Sequence, residues 1–196
     1  MARPARFDSD QVIEATTRVV AIHGPGGATI ARIATDLGAP TGSIYHRFAS
    51  RDILLGEVWL RAASDFQTSA QVKLAGADPL AAGISAVTFV PQWVRRNPER
   101  SRVLLLHRRE DFIDQGWPPA MAARASELRA TMNAQIRQYA RRLTGRADKN
   151  TLRMLSFALA EAPVAAVRPH IETNQPPPPV VDQLLKATFI AITNLC

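Results

Sequence analysis

The chain has almost no sulfur chemistry. Cys196, at the very end, is its one cysteine, so no intramolecular disulfide framework and no cysteine metal cluster can form, and a lone thiol fits a reducing compartment. Long apolar runs are missing as well. The longest, near Ala158 to Val167, is broken by Glu161 and Pro163 and falls far short of the roughly 20 residues that a membrane helix needs. No apolar region follows the charged opening Met-Ala-Arg-Pro-Ala-Arg, so no secretory signal is readable. There is no nucleophile-elbow serine, no paired-carboxylate signature and no Rossmann glycine pattern. The cluster Gly24-Pro25-Gly26-Gly27 has no strand before it and no Lys-Ser/Thr after it, which makes it a helix stop and turn rather than a phosphate cradle. These absences predict a soluble cytoplasmic protein with no cofactor, no metal and no membrane span, and not an enzyme.

What the chain does have is apolar residues at helical spacing. At 196 residues and 46% apolar it can bury a substantial core, enough for a small head and a larger body. A first helix runs from about Asp8 or Ser9 to His23, with Val12, Ala15, Val19 and Ile22 as its inward stripe. Thr29 is a suitable N-cap for a second, whose Ile30, Ile33, Ala34 and Leu37 recur at i, i+3, i+4 and i+7. Gly38 ends that helix and Pro40 pre-sets the start of a third, about two turns long. In the third helix Ile44 and Phe48 point inward. Thr41, Gly42, Ser43, Tyr45, His46 and Arg47 are left outside, a set able to donate hydrogen bonds, lie against a sugar-phosphate edge and place a cation. Periodicity alone also fits a plain pair of packed helices.

The residues themselves are more specific. Gly27-Ala28-Thr29, Ile33-Ala34, Gly38, Gly42-Ser43-Ile44-Tyr45-His46-Arg47-Phe48, Ser50-Arg51-Asp52 and Leu54-Leu55 closely resemble the DNA-binding region of TetR-family transcriptional regulators. The resemblance covers roughly the first quarter of the chain. It departs at Pro40, where the family often has a Ser N-cap, and at Arg47, where it often has an aromatic or His. It implies an all-α fold, with a three-helix helix-turn-helix head over residues 1–50 joined by a long helix to an effector-binding and dimerisation body over residues 51–196. It implies a sequence-specific DNA-binding regulator, a repressor released from a palindromic operator by a small-molecule effector. The DNA-facing set is Arg3, Arg6, Thr29, Arg32, Thr41, Gly42, Ser43, Tyr45, His46, Arg47 and Arg51. Thr41, Ser43 and His46 approach bases and nearby phosphates, Tyr45 and Arg51 hold the backbone, Arg47 sits at the groove edge, and Arg32 with the Arg3/Arg6 arm adds phosphate or minor-groove contacts.

Net charge does not make this case. The overall balance is +7, but the first 55 residues set Arg3, Arg6, Arg18, Arg32, Arg47 and Arg51 against Asp8, Asp10, Glu14, Asp36 and Asp52, which is nearly neutral. Most of the excess lies between Arg95 and Arg146.

After the Ser50 cap, Ile53, Leu54, Val58, Trp59, Ala62, Ala63 and Phe66 form a long helix to about Leu74. A helix from about Leu80 to Arg96 should kink at Pro91, a shorter one runs through Val103 to His107, and another spans Ala120 to Leu143. The stretch from about Lys149 to Glu172 is interrupted by Pro163 and Pro169, Pro176 to Pro179 is a stiff spacer, and a broadly apolar helix closes the chain. The last two helices are apolar on too many sides for an intrachain core alone. They are expected to pair with a second copy as a four-helix bundle, which leaves a monomer with ordinary core helices as the alternative. Phe89, Trp93, His107, Phe112, Trp117, Met121 and Phe157 are candidates to line an effector cavity, and the many arginines suit an acidic or acyl-type effector. Two other readings compete: a helical ligand-binding or scaffold protein without specific DNA binding, and a metal-dependent enzyme using His107, Asp111 and Asp114 at i, i+4 and i+7.

Overall fold

The computed structural model describes residues 7–113 and 116–196, and all the regular structure among them is helical. Arg3, Arg6 and Asp114 lie outside the described residues. The helices are α1 (Ser9–Gly27), α2 (Ile30–Leu37), α3 (Thr41–Tyr45), α4 (Arg51–Leu74), α5 (Pro79–Arg96), α6 (Pro98–Leu105), α7 (Pro119–Thr144), α8 (Lys149–Ser156), α9 (Ala162–Glu172) and α10 (Val180–Thr193). A 3-10 turn, Arg109–Phe112, precedes α7, and a π turn, Phe157–Glu161, joins α8 to α9.

The chain's punctuation explains most of these boundaries. Asp8 caps α1 by accepting from the Gln11 amide, and Ser50, Asp78 and Asp148 cap α4, α5 and α8 in the same manner. Gly24, at φ +68, breaks the helical path of α1 where the glycine cluster predicts a stop. Helix α5 runs on through Pro91 to Arg96. Pro163, which has no N–H to return to Leu159, is accommodated by the wider π turn just before it.

The inward stripe of α1 holds at Val12, Ala15 and Val19, which are buried, and departs at its end. Ile22 is 70% exposed, whereas Thr16 and Thr17 are buried. Their hydroxyls donate to the carbonyls of Val12 and Ile13, so these residues bury without an orphaned polar atom and widen the buried face of α1.

Two apolar cores result. The first joins α1, α2 and α3 to the start of α4, and it takes in Val103, Phe112, Ile113, Met121 and Ala125 from later in the chain. The second lies among α5, α7, α8, α9 and α10. Leu104 of α6 packs against both. Helix α10 comes close to α5 at Gly83, where an added Cβ would fall 2.1 Å from both Phe189 Cζ and Tyr139 Oη, so no side chain fits. Tyr139 donates to the Pro79 carbonyl (2.8 Å), and burial pushes its phenol pKa up to about 12.

The body's surplus of arginine is largely structural. Arg102 donates to the carbonyls of Ala21 and Ile171, Arg142 to those of Leu74 and Gly76, and Arg95 to those of Pro177 and Pro178 and to the Asp182 carboxylate. Those of Ile171, Leu74 and Gly76 lie at or just past helix C-termini, where unpaired oxygens and the helix dipole both favour a cation. Arg100 joins Glu14 of α1 to Asp65 of α4. Helix α6 therefore ties the head to the body through Leu104, Arg100 and Arg102.

Candidate nucleic-acid interface

The α2–α3 unit is built on a tight exit. Gly38 sits at φ +66, the left-handed conformation that a Cβ disfavours, and Ala39 N–H returns to the Ala34 carbonyl (3.0 Å). Thr29 caps α2 by accepting from the Arg32 amide (3.3 Å). Pro40 precedes α3 without any side-chain cap. Helix α3 is one five-residue stretch, shorter than expected, anchored by fully buried Ile44 and, just beyond its end, by Phe48.

With those two anchors inward, the opposite face is open. Thr41, Gly42, Tyr45 and His46 are exposed, and Ser43 and Arg47 are partly so. The side chains of Thr41, Ser43, Tyr45 and His46 make no hydrogen bond or ion pair among the described residues, so their donors and acceptors are unspent. Tyr45 is 55% exposed beside a buried Ile44, a placement that burial energy alone does not favour. Gly42 adds a second sign. A Cβ there would meet nothing within 4 Å, and the residue has no positive φ, so the fold itself does not require glycine.

The cations divide into two groups. Arg47 donates one N–H to the Ser43 carbonyl (2.8 Å), bracing α3, and Arg32 donates to the Gly27 carbonyl (2.6 Å); each keeps further N–H groups. Arg51, expected to hold the DNA backbone, has a structural role within the fold. Its guanidinium donates to the carbonyls of Ala28 (2.8 Å), Pro25 and Gly26 and pairs with Asp52 (3.3 Å), so it fastens the α1–α2 turn onto α4. The acids that make the head nearly neutral in sequence are also committed. Asp36 pairs with Arg18, Asp10 with Arg61 of α4, and Glu14 with Arg100 of α6. No carboxylate belongs to α3 itself.

The seven residues expected to line one effector cavity are scattered. Phe89 and Trp93 are buried in the second core against Phe66, with ring centroids 5.5 and 5.0 Å away. Phe112 and Met121 are buried in the first. Trp117 lies at the edge of that core, T-shaped on Trp59 (5.6 Å). His107 packs edge-on to Phe112 and lies under Gly24, and burial lowers its pKa. Phe157 is 43% exposed on the π turn. A cleft of about 300 Å³ does open, between α4 and α7, with Trp59, Gln67, Leu128, Arg129 and Met132 among its walls. It exists because no residue of α7 from 126 to 135 is buried. Gln67, a polar residue amid the Ala63, Phe66 and Ala70 stripe of α4, was the sequence sign of it.

The metal face of the competing enzyme reading is not formed by His107 and Asp111. Helix α6 ends at Leu105, so His107 and Asp111 are not on one helical surface, and Asp111 instead accepts from the Arg108 amide (2.7 Å). Among the described residues no three His, Cys, Asp or Glu come together as metal ligands. No helix of the described residues is long and apolar enough to cross a membrane.

Comparison with known proteins agrees with this geometry. Residues 12–58 match the family model described as bacterial regulatory proteins, tetR family. No curated protein matches the chain. Among solved structures, a putative tetR family transcription regulator from Shewanella sp. PV-4 superposes with a TM-score of 0.71 at 19% identity, covering 97% of this chain and 98% of the other. The fatty acid degradation regulator FadR from Bacillus halodurans gives 0.70 at 15% identity, covering 95% and 98%. FadR from Bacillus subtilis, solved in complex with stearoyl-CoA, gives 0.68 at 12% identity with the same coverage.

Proposed function

We propose that this chain, whose residues 12–58 match the tetR family model, is a DNA-binding transcriptional regulator that acts as a homodimeric repressor, released from a palindromic operator when a small molecule enters its body. In this reading residues 1–50 are the reading head and 51–196 the effector-binding and dimerisation body. The observation that carries it is the unspent outer face of α3. Thr41, Ser43 and His46 approach base edges and nearby phosphates, Tyr45 lies on the sugar-phosphate backbone, and Gly42 lets that backbone come close. Arg47 and Arg32 supply charge at the groove edge, with Thr29 beside them, and the arm bearing Arg3 and Arg6 adds phosphate or minor-groove contacts.

The dimer uses the outer faces of α8 to α10. Leu155, Ala158, Val167, Val181, Leu185 and Phe189 face the body's own core, yet Phe157, Val180, Leu184 and Leu195 remain exposed at 43%, 50%, 60% and 74%. A helix pair apolar on both sides is explained by a second copy, and two heads fixed by one two-fold axis read a palindrome. An effector between α4 and α7 would shift α4, and α6, joined by Arg100 and Arg102 to α1, α4 and α9, would carry that shift to the spacing of the heads.

The test is fluorescence anisotropy of purified protein on DNA selected by the wild type from genomic fragments, with a scrambled duplex as control. Tyr45→Ala should lose about 1 kcal/mol or more of specific binding. An empty selection would remove the regulator reading and bring the scaffold alternative forward.

A further inference from the structure

The α4–α7 cleft has a chemistry more specific than an apolar groove. Its walls are soft and flat: Trp59 with Trp117 edge-on behind it, Leu128, and the flexible thioether of Met132. Gln67 is one of the lining residues, and its side-chain carbonyl is buried and receives no hydrogen bond from any described residue. A buried acceptor left without a donor is costly, so the position calls for an O–H or N–H brought from outside.

The lining is also cationic. Arg129, exposed on α7, has no hydrogen bond or ion pair among the described residues. Arg109 lies with its guanidinium carbon 5.3 Å from the Trp117 ring centroid and is only partly neutralised by its neighbour Glu110 (3.2 Å). Two guanidinium groups against one carboxylate leave a single positive charge at the mouth, which a monoanion balances. At about 300 Å³ the cleft is at the small end of ligand sites.

We propose that this cleft binds a small organic acid with a ring-sized apolar body, its carboxylate held by Arg129 and Arg109 and a hydroxyl at its far end donating to Gln67. The assignment rests on the effector-responsive reading of the body and deepens it. Arg109 begins the Arg109–Phe112 turn, whose Phe112 enters the first core, and the following Ile113 presses on α4 at Gly56, where a Cβ would lie 2.9 Å from it. A carboxylate that draws Arg109 toward Arg129 therefore pulls on the element packed against the base of the head.

Isothermal titration calorimetry on the full-length protein tests this with para-hydroxybenzoate and para-hydroxycinnamate, their neutral amides, and the deoxy acids benzoate and cinnamate. At least one hydroxy acid should bind about tenfold or more tighter than its amide and than its deoxy analogue. Arg129→Gln should abolish the preference for acid over amide, and Gln67→Leu the preference for hydroxy over deoxy acid. Arg129→Gln should leave the melting temperature unchanged, because Arg129 is exposed and makes no ion pair among the described residues, and Gln67→Leu should not lower it, because the change removes an unpaired buried carbonyl. Absence of binding by both acids, equal binding of acid and amide, or preferences that survive both variants would overturn the proposal. Anisotropy on selected DNA, run alongside, keeps the two readings apart. Specific DNA binding without acid binding removes only the ligand assignment. Acid binding with both expected variant effects but no DNA release upholds the assignment and removes the effector reading.

Discussion

Replacing Gly42 by alanine should move stability and DNA binding in opposite directions. The residue lies in the first turn of α3 at a φ open to any L-residue, and a Cβ there meets nothing within 4 Å. Alanine removes backbone freedom from the unfolded chain at no steric cost, a gain of about 0.4–1 kcal/mol. For a chain of this length that is a rise of roughly 1–4 °C in melting temperature. On DNA the same methyl occupies space that the interface assigns to the sugar-phosphate backbone. Separating the helix from its phosphates by even part of a methyl diameter lengthens every hydrogen bond from Thr41 and Ser43, so specific affinity should fall about tenfold or more, near 1.4 kcal/mol. Gly38→Ala is the control, since at φ +66 it forces alanine into the left-handed region and should lose about 1–2 kcal/mol of stability. Thermal melts and anisotropy on one preparation of each variant give both numbers. A Gly42→Ala protein that is more stable and binds its DNA as tightly as wild type would refute the close approach and, with it, the placement of α3 against the DNA backbone.

Three further outcomes follow from other contacts. Arg51→Gln should cost about 1–2 kcal/mol in a urea melt by orphaning the Ala28 and Pro25 carbonyls, yet leave the slope of log affinity against log salt unchanged; loss of a phosphate contact would lower that slope by about 0.9. His107 has a pKa lowered chiefly by burial, so its neutral form is favoured in the native state and the unfolded chain takes up the proton first as pH falls. Its contribution to stability is therefore present above pH 6.5, the ordinary histidine value, and is lost as pH drops below it; denaturant melts between about pH 7 and pH 5 should show this loss, and His107→Phe should reduce it. Leu184→Glu, which places a charge at the centre of the exposed apolar face of α10, should yield monomer in sedimentation equilibrium with an unchanged helical spectrum and weaken operator binding by at least tenfold.

The head was legible because its signals are local. Thr29 and Ser50 as caps, Gly38 as a left-handed exit and Ile44 with Phe48 as anchors each act within one or two helical turns, and each is found where spacing and residue type put it. Thr16 and Thr17 were missed from the buried face because a hydroxyl that bonds its own helix makes threonine buriable, and pattern reading counts threonine as polar. Arg51 shows what local reading leaves out. An arginine beside a DNA-reading helix looks like a phosphate ligand until the fold shows three carbonyls converging on it from a turn 23 to 26 residues earlier.

The sequence by itself therefore determined the all-α class, the helix-turn-helix and which side chains α3 turns outward, since helical period and capping chemistry depend only on near neighbours. The tertiary structure decided where the cations are spent and where a ligand fits. Arg95, Arg100, Arg102 and Arg142 become struts because carbonyls and carboxylates distant in the chain are brought to them. The seven aromatic, Met and His candidates are divided between two cores and an outer face because each helix has only one side toward each neighbour. The α4–α7 cleft is set by how far apart two helices stand over a ten-residue stretch, a distance that no local pattern encodes.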